Sequence, residues 1–488
     1  MQATRTNDND NDNDNRSCSE VRGQPELDST DIPRWRSPSP SLATPPLSPS
    51  ASHKINMTRT LSLTFLGTGC SSANPSTNCL LQPEHRCPAC ADAFRHPQTS
   101  PNVRFNTSAV VQTPGSNEQA AKTILIDCGK TFRETVFKFF PQLHITRIDA
   151  LILTHAHTDA YGGLDDVRPW FLGAAPFQDH VDIYCTQRTH DAIRASFPWY
   201  FPSKEKSSAV LPQFNWHVMP DDEDWNICGV VFSPFQFHHG SVGKAPTICT
   251  AFLIDHTVLY AADVNWIPEP EWARLAQKVA LPSPDGLYRD KRGLPHLQLA
   301  ILDITGEFHD SPAHFNLGQA ILCARRLGAM KTLLTGFLHG YAHETWLKWC
   351  EMFEHRHGDP PRHADRHLRD KPLWWKRPEE TRRRIEVADS RTYPRQWTED
   401  ECLHLARASL RQWESEVIGK DPTHLHLHGK YVRPAYDGLI IKWREWGTGE
   451  HGHSAHEVRI VREIGPHSSG REDHSHRHAV GKAAHPQT

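Results

Sequence analysis

Apolar positions in this chain cluster in short runs, and several runs alternate with polar residues. In "RTLSLTFLGTG" (59–69), Leu61, Leu63 and Phe65 take every second position, the period of a strand with one buried face. Gly67 and Gly69 then turn the chain. Comparable runs predict strands at 123–129, 149–155, 181–186, 229–239, 250–255, 257–263, 297–304 and 331–337. Between them the spacing becomes helical in "FRETVFKFF", "RTHDAIRAS", "EPEWARLAQKV", "LGQAILCARRLG" and "HETWLKWCEMFEH". Strands alternating with helices predict an α/β fold in which helices cover sheets.

The pattern stops at both ends. Residues 1–57 hold "NDNDNDNDN" and a Ser/Pro-rich run, neither able to bury enough apolar surface to offset ordering, so they read as a disordered tail. Its Ser-Pro pairs are candidate phosphorylation sites, and Met57 is a candidate alternative start. The core is expected over 58–353. Residues 354–422, rich in Arg, His and Trp, read as an insertion with one helix candidate, "EDECLHLARASLRQWESEVIG". Residues 423–446 rejoin the core through "AYDGLIIKWREW", a turn and a last strand, and 447–488 read as a disordered His-rich tail.

Composition narrows the function classes. The 54 basic and 57 acidic residues nearly cancel, which gives no general argument for a nucleic-acid or membrane partner. No apolar run approaches the roughly 18 residues of a membrane span, and the N-terminus lacks a signal-peptide pattern. A soluble protein of the cytoplasm, with the nucleus left open, is expected. Its 12 cysteines would then be reduced, so the CxxC at Cys87 and Cys90 reads as metal-binding.

The densest chemistry is "THAHTDAYGG" (154–163). His155, His157 and Asp159 follow the apolar run "ALILT", on the loop at a strand's end, and combine imidazole and carboxylate donors suited to zinc. His239 ends another strand and by alternation shares a face with Phe235 and Phe237, whereas His238 points away. Asp127 and Asp263 each end an apolar run, where a carboxylate needs a reason to be. Asp127 reads as a turn residue or as one that orients a ligand histidine. Arg168 is either an anion-steadying group or the ion-pair partner of Asp165 or Asp166.

"FLGTG", "ILIDCG", "LTHAHTDAYGGLDDVR", "FHHG", "YAAD" and "AYDG", in this order, resemble the metallo-β-lactamase superfamily, and within it the phosphoribosyl cyclic phosphodiesterase-like subgroup. The resemblance spans roughly 59–350 and 430–446. It implies an αββα sandwich with metals at the sheet edges. His155, His157 and His239 would hold a first metal, Asp263 would bridge to a second, and Asp159 would serve the second. The family pattern asks for histidines where this chain has Ala160 and Gly336, which leaves the second metal weak or absent; His343 is a candidate substitute ligand. Cys79, Cys87, Cys90 and His339 match the subgroup's structural zinc cluster, and His314 matches its general acid.

The resulting expectation is a zinc-dependent hydrolase, with manganese or another divalent ion as the alternative at the catalytic site. It would cleave a small phosphodiester, cyclic phosphates being one candidate, by metal-activated water, with His314 protonating the leaving oxygen. A non-catalytic zinc-binding relative is the first alternative. An RNA-processing nuclease is the second, for which the Arg-rich 371–384 would be the arm.

Overall fold

The computed structural model describes residues 59–82, 86–115, 121–172, 176–201, 211–282, 294–306, 311–352, 431–445 and 456–461. The expected N-terminal tail and the 354–422 insertion, with its Arg-rich stretch, lie outside these residues.

The first sheet begins with β1 (Thr60–Gly67), β2 (Ser108–Gln112), β3 (Thr123–Ile126), β4 (Ala150–Ile152), β5 (Val181–Thr186) and β6 (Phe214–Met219). These pair in chain order, antiparallel as far as β3 and parallel from there. The second sheet holds β7 (Trp225–Ile227), β8 (Val230–Val242), β9 (Ala245–Ile254), β10 (Val258–Ala261), β11 (Leu299–Asp303), β12 (Lys331–Thr335) and β13 (Val432–Pro434). It is antiparallel up to β10 and parallel beyond. The chain then returns to the first sheet, where β14 (Ile440–Glu445) lies against β1 and β15 (His456–Val461) against β14.

Strand alternation builds four layers. Leu61, Leu63, Phe65, Ile124 and Ile126 of the first sheet meet Phe232, Phe252, Tyr260 and Ile301 of the second in a core between the sheets. The opposite face of the first sheet, through Leu125, Leu151 and Ile183, packs on Phe132 and Phe139 of helix Phe132–Phe139 and Ile193 of helix Gln187–Ser196. The outer face of the second sheet, through Phe237, Leu253, Leu302 and Leu334, packs on Leu275, Ile321 and Trp346 of the helices Glu269–Lys278, Leu317–Leu327 and His343–Met352. This is the expected αββα sandwich. Among the described residues no helix is long and apolar enough to cross a membrane.

One boundary needs correction. Within the stretch expected to be a disordered tail, His456–Val461 forms β15 and pairs with β14, Val458 opposite Trp443 and Ile460 opposite Ile441. Val458 is buried and Ile460 packs on the core between the sheets. The polar composition around these residues hides a short period-two pattern, which a paired strand needs and a tail does not.

Candidate metal centre

Both sheets deliver polar side chains where their strands end. His155 follows β4, Asp127 follows β3, Asp263 follows β10, and Asp303 closes β11. His239 lies in an irregularity of β8, between His238 and Ser241, where the pairing with β9 slips and the backbone is free to re-aim the ring. The main chain joins the two edges, since Thr250 of β9 donates its N–H to the Thr154 carbonyl at 3.0 Å.

His155, His157 and His239 converge. Their ring centroids are 4.6, 4.8 and 5.0 Å apart, and each offers a donor atom within 4.8 Å of the others. The hydrogen bonds assign the nitrogens. The Ala313 carbonyl accepts from His239 Nδ1 at 2.8 Å, which leaves the Nε2 lone pair facing His157 Nδ1 at 3.0 Å. Thr154 Oγ1 donates to Asp127 Oδ2 at 2.8 Å and so accepts from His155 Nδ1 at 2.9 Å. His155 Nε2 is then a buried nitrogen with no hydrogen-bond partner. Burial holds His155 well below the usual imidazole range and His239 at about 4, so both are neutral ligands rather than imidazoliums. Three converging imidazoles, one with a buried nitrogen left without a partner, fit a divalent ion with an open position.

Asp127 touches no ligand directly. It sits at φ +60° and accepts from the Thr154 N–H at 2.9 Å as well as from its hydroxyl, so it meets His155 through Thr154. Burial raises its carboxyl to about 8.

A second histidine environment adjoins the first. His314 lies 4.7 Å from His239, ring to ring. Its Nδ1 is 2.7 Å from Asp303 Oδ2 and 3.8 Å from Asp263 Oδ1. Burial disfavours its charged form, but Asp303, Asp263 and Asp159 outweigh that and push it to about 9. Asp303 is fully buried and also accepts from Thr305 N–H at 2.8 Å and Thr305 Oγ1 at 2.6 Å. The sequence reading missed Asp303, although the rule that selected Asp127 and Asp263, a carboxylate ending an apolar run, applies to "LQLAILD" as well. Cys249 was also missed. Its buried thiol stands 3.6 Å from His155 Nδ1 and groups with His155 and Asp263.

The donors expected around a second ion are not assembled as expected. Asp159, in the short helix Thr158–Tyr161, belongs to none of the donor groups among the described residues. Ala160 is buried, and its carbonyl accepts from Cys128 N–H at 2.6 Å. Gly336 adopts φ +78°, and a Cβ there would stand 2.5 Å from Thr305 Oγ1 and 2.7 Å from Asp303 Oδ1. His343 Nδ1 lies 3.1 Å from Arg104 Nη2, and His343 joins none of those groups among the described residues. Arg168 turns to Asp165, Nε to Oδ1 at 3.3 Å.

The cysteine cluster forms separately. Cys79, Cys87, Cys90 and His339 bring their donor atoms within 4.8 Å of one another. Backbone N–H groups point at the sulfurs, Cys87 N at Cys79 Sγ, Cys90 N at Cys87 Sγ and Ser76 N at Cys90 Sγ, each at 3.3 Å. The hydrogen bond from the Cys90 side chain lowers the Cys87 thiol to about 4. Three sulfurs and one imidazole make a closed tetrahedral donor set of the structural type.

Residues 122–337 match the family described as Beta-lactamase superfamily domain. An octanoyltransferase of Porphyromonas gingivalis is 27% identical over 176 residues, 36% of this chain and 30% of that protein, so the chain spans less than a third of this relative's length. Among solved structures, a diphosphatase of the PhnP family is 24% identical, with a TM-score of 0.45 over 60% of this chain and 92% of the other. The short form of human tRNase Z is 15% identical, with a TM-score of 0.36 over 57% and 92%. The family match over residues 122–337, the four-layer sandwich and the histidine cluster at the strand ends agree with one another, and this part of the chain is similar to the beta-lactamase superfamily domain.

Proposed function

We propose that this protein is a metal-dependent hydrolase of phosphodiesters, with His155, His157 and His239 as ligands, Asp263 beside them, and His314 as general acid. The observation that carries the reading is the Asp303–His314 pair set against His239 and Asp263. A divalent ion in such a centre supplies Lewis acidity toward an anionic oxygen and lowers the pKa of water. Asp303 keeps a proton on His314 Nδ1 and sustains the imidazolium, so Nε2 carries a second proton that can pass to a departing alkoxide. Asp127, through Thr154, fixes the tautomer that turns His155 Nε2 inward. Cys79, Cys87, Cys90 and His339 hold a structural zinc, as thiolate softness favours. The acyl-transfer activity named for the octanoyltransferase is not carried over, because the match spans 30% of that protein.

The test uses the full chain, since truncation at 450 would remove β15. Bound metal is counted in wild type, His157→Ala and Cys87→Ser, and hydrolysis of bis(4-nitrophenyl) phosphate is followed. Each variant should lose metal without emptying the other site, and only His157→Ala should abolish turnover outright. Turnover indifferent to His157→Ala, or metal lost only with Cys87, would remove the enzyme reading.

A further inference from the structure

The strand that presents His239 does not end there. β8 runs on through Ser241 and Val242, pairs with Pro246 and Ala245 of β9, and closes in the two-residue connection Gly243–Lys244. Gly243 has φ +60°, a positive value that tight hairpin turns favour and that glycine adopts without strain. Residues 241–246 are all exposed, and Val242 is 80% exposed. Three strand residues at about 3.4 Å each carry the tip about 10 Å past His239.

The base of this finger is clamped on both sides by the loops that carry Asp263 and His314. His238 N–H donates to the Trp266 carbonyl at 2.9 Å, and Asn265 N–H to the His238 carbonyl at 2.8 Å. Gly240 N–H reaches Asn265 Oδ1 at 3.2 Å, while Asn265 Nδ2 donates to the Pro312 carbonyl at 2.7 Å. A Cβ on Gly240 would stand 3.3 Å from the Ala313 Cβ, so the backbones approach about as closely as they can. A finger anchored this firmly at its base holds a fixed relation to the centre. Its tip carries one apolar and one cationic residue, Val242 and Lys244, both exposed.

We infer that the Val242–Lys244 tip is the outer wall of the substrate site, Val242 meeting an apolar substituent of the phosphodiester and Lys244 an anionic substrate oxygen. The inference rests on the phosphodiester reading for its substrate class. It makes these two residues determinants of substrate choice rather than of the chemical step.

Full-length wild type, Val242→Ser and Lys244→Ala are loaded with zinc and compared on bis(4-nitrophenyl) phosphate and ethyl 4-nitrophenyl phosphate, which share a leaving group. Val242→Ser should raise KM for the diaryl substrate about fivefold, the order expected for losing part of a buried valyl contact, and leave the ethyl substrate unchanged. Lys244→Ala should raise KM for both about fivefold at low salt, with the difference fading as ionic strength rises and with kcat retained; Lys244→Arg should restore it. Calorimetric binding of bis(4-nitrophenyl) phosphate, which needs no turnover, separates the two readings. Binding ranked as above without turnover removes the phosphodiesterase and keeps the finger. Equal affinity, or none, across the proteins overturns the finger whatever the turnover.

Discussion

At the scale of single residues, the groups hardest to see in sequence are those that act through another. His155, His157, His239 and Asp263 announce themselves by type and by place at strand ends. Thr154 does not, and the place of Asp303 at the end of an apolar run does not disclose its role, because a hydroxyl or carboxylate becomes a positioning group only when folding sets its partner at 2.7 to 2.9 Å. Asp303→Asn tests this directly. One carboxylate oxygen receives Thr305, and the other receives His314 and the Val264 N–H at 3.2 Å. An amide has one acceptor to offer, so one side must meet an N–H, at a cost of about 1–3 kcal/mol. We expect the metal count to stay at the wild-type value. We expect kcat to fall about 100-fold on alkyl leaving groups, which need a proton, and far less on 4-nitrophenolate. Equal losses on both leaving groups would show that Asp303 supports the fold and not the proton.

At the scale of elements, most buried strands were legible in the apolar runs and most edge strands were not. β1, β3, β4, β5, β10, β11 and β12 fall inside the expected runs because their residues are apolar or strictly alternating. β2, β6, β7, β13 and β15 were missed, β2 although it is buried between β1 and β3. Each of the other four lies at or near a sheet edge, is short, or carries polar residues on its open side, and period two over three residues is no signal. β8 and β9 were read too short for the same reason: their exposed extension has no buried face to reveal it. β15 offers the sharpest check. Val458 is buried beside Trp443 on an otherwise polar strand. Val458→Asp should place an unpaired carboxylate against the core and lower stability by about 2–3 kcal/mol, read as a drop in the thermal midpoint. Val461→Thr, at an exposed position of the same strand, should leave it unchanged. Equal midpoints for all three proteins would show that β15 contributes nothing to the fold.

At the scale of the whole molecule, the returning C-terminal residues close both sheets, and one buried cation joins them to the rest. Arg104 is 2% exposed. Its Nη1 donates to Thr68 Oγ1 at 2.8 Å and to the Ala435 carbonyl at 2.9 Å, Nη2 reaches His343, and the guanidinium lies 4.0 Å over the Phe337 ring. Thr68 in turn donates to Asp437 at 2.7 Å. The main chain of Arg104 pairs with Asn74, whose side-chain oxygen accepts from Cys90 Sγ at 3.0 Å. The first strand's exit, the end of β12, the C-terminal return and the cysteine cluster therefore meet at one side chain. Replacing it with methionine keeps much of the volume but strands the Ala435 carbonyl and removes one of the two cations, Arg104 and Lys138, that favour the Asp437 carboxylate. Breaking such a buried charge network costs about 3–5 kcal/mol. Arg104→Lys should recover only part of this, because an ammonium lacks the planar fork that spans two acceptors. In urea, zinc released from the Cys79–His339 cluster is followed by a chromogenic chelator beside the fluorescence of the buried tryptophans. If Arg104 couples the cluster to the return, both transitions move to lower urea together in Arg104→Met, whereas His157→Ala moves neither. Zinc release that stays at the wild-type midpoint while fluorescence shifts would show that the cluster is an independent clasp, held by its own sulfurs and backbone N–H groups alone.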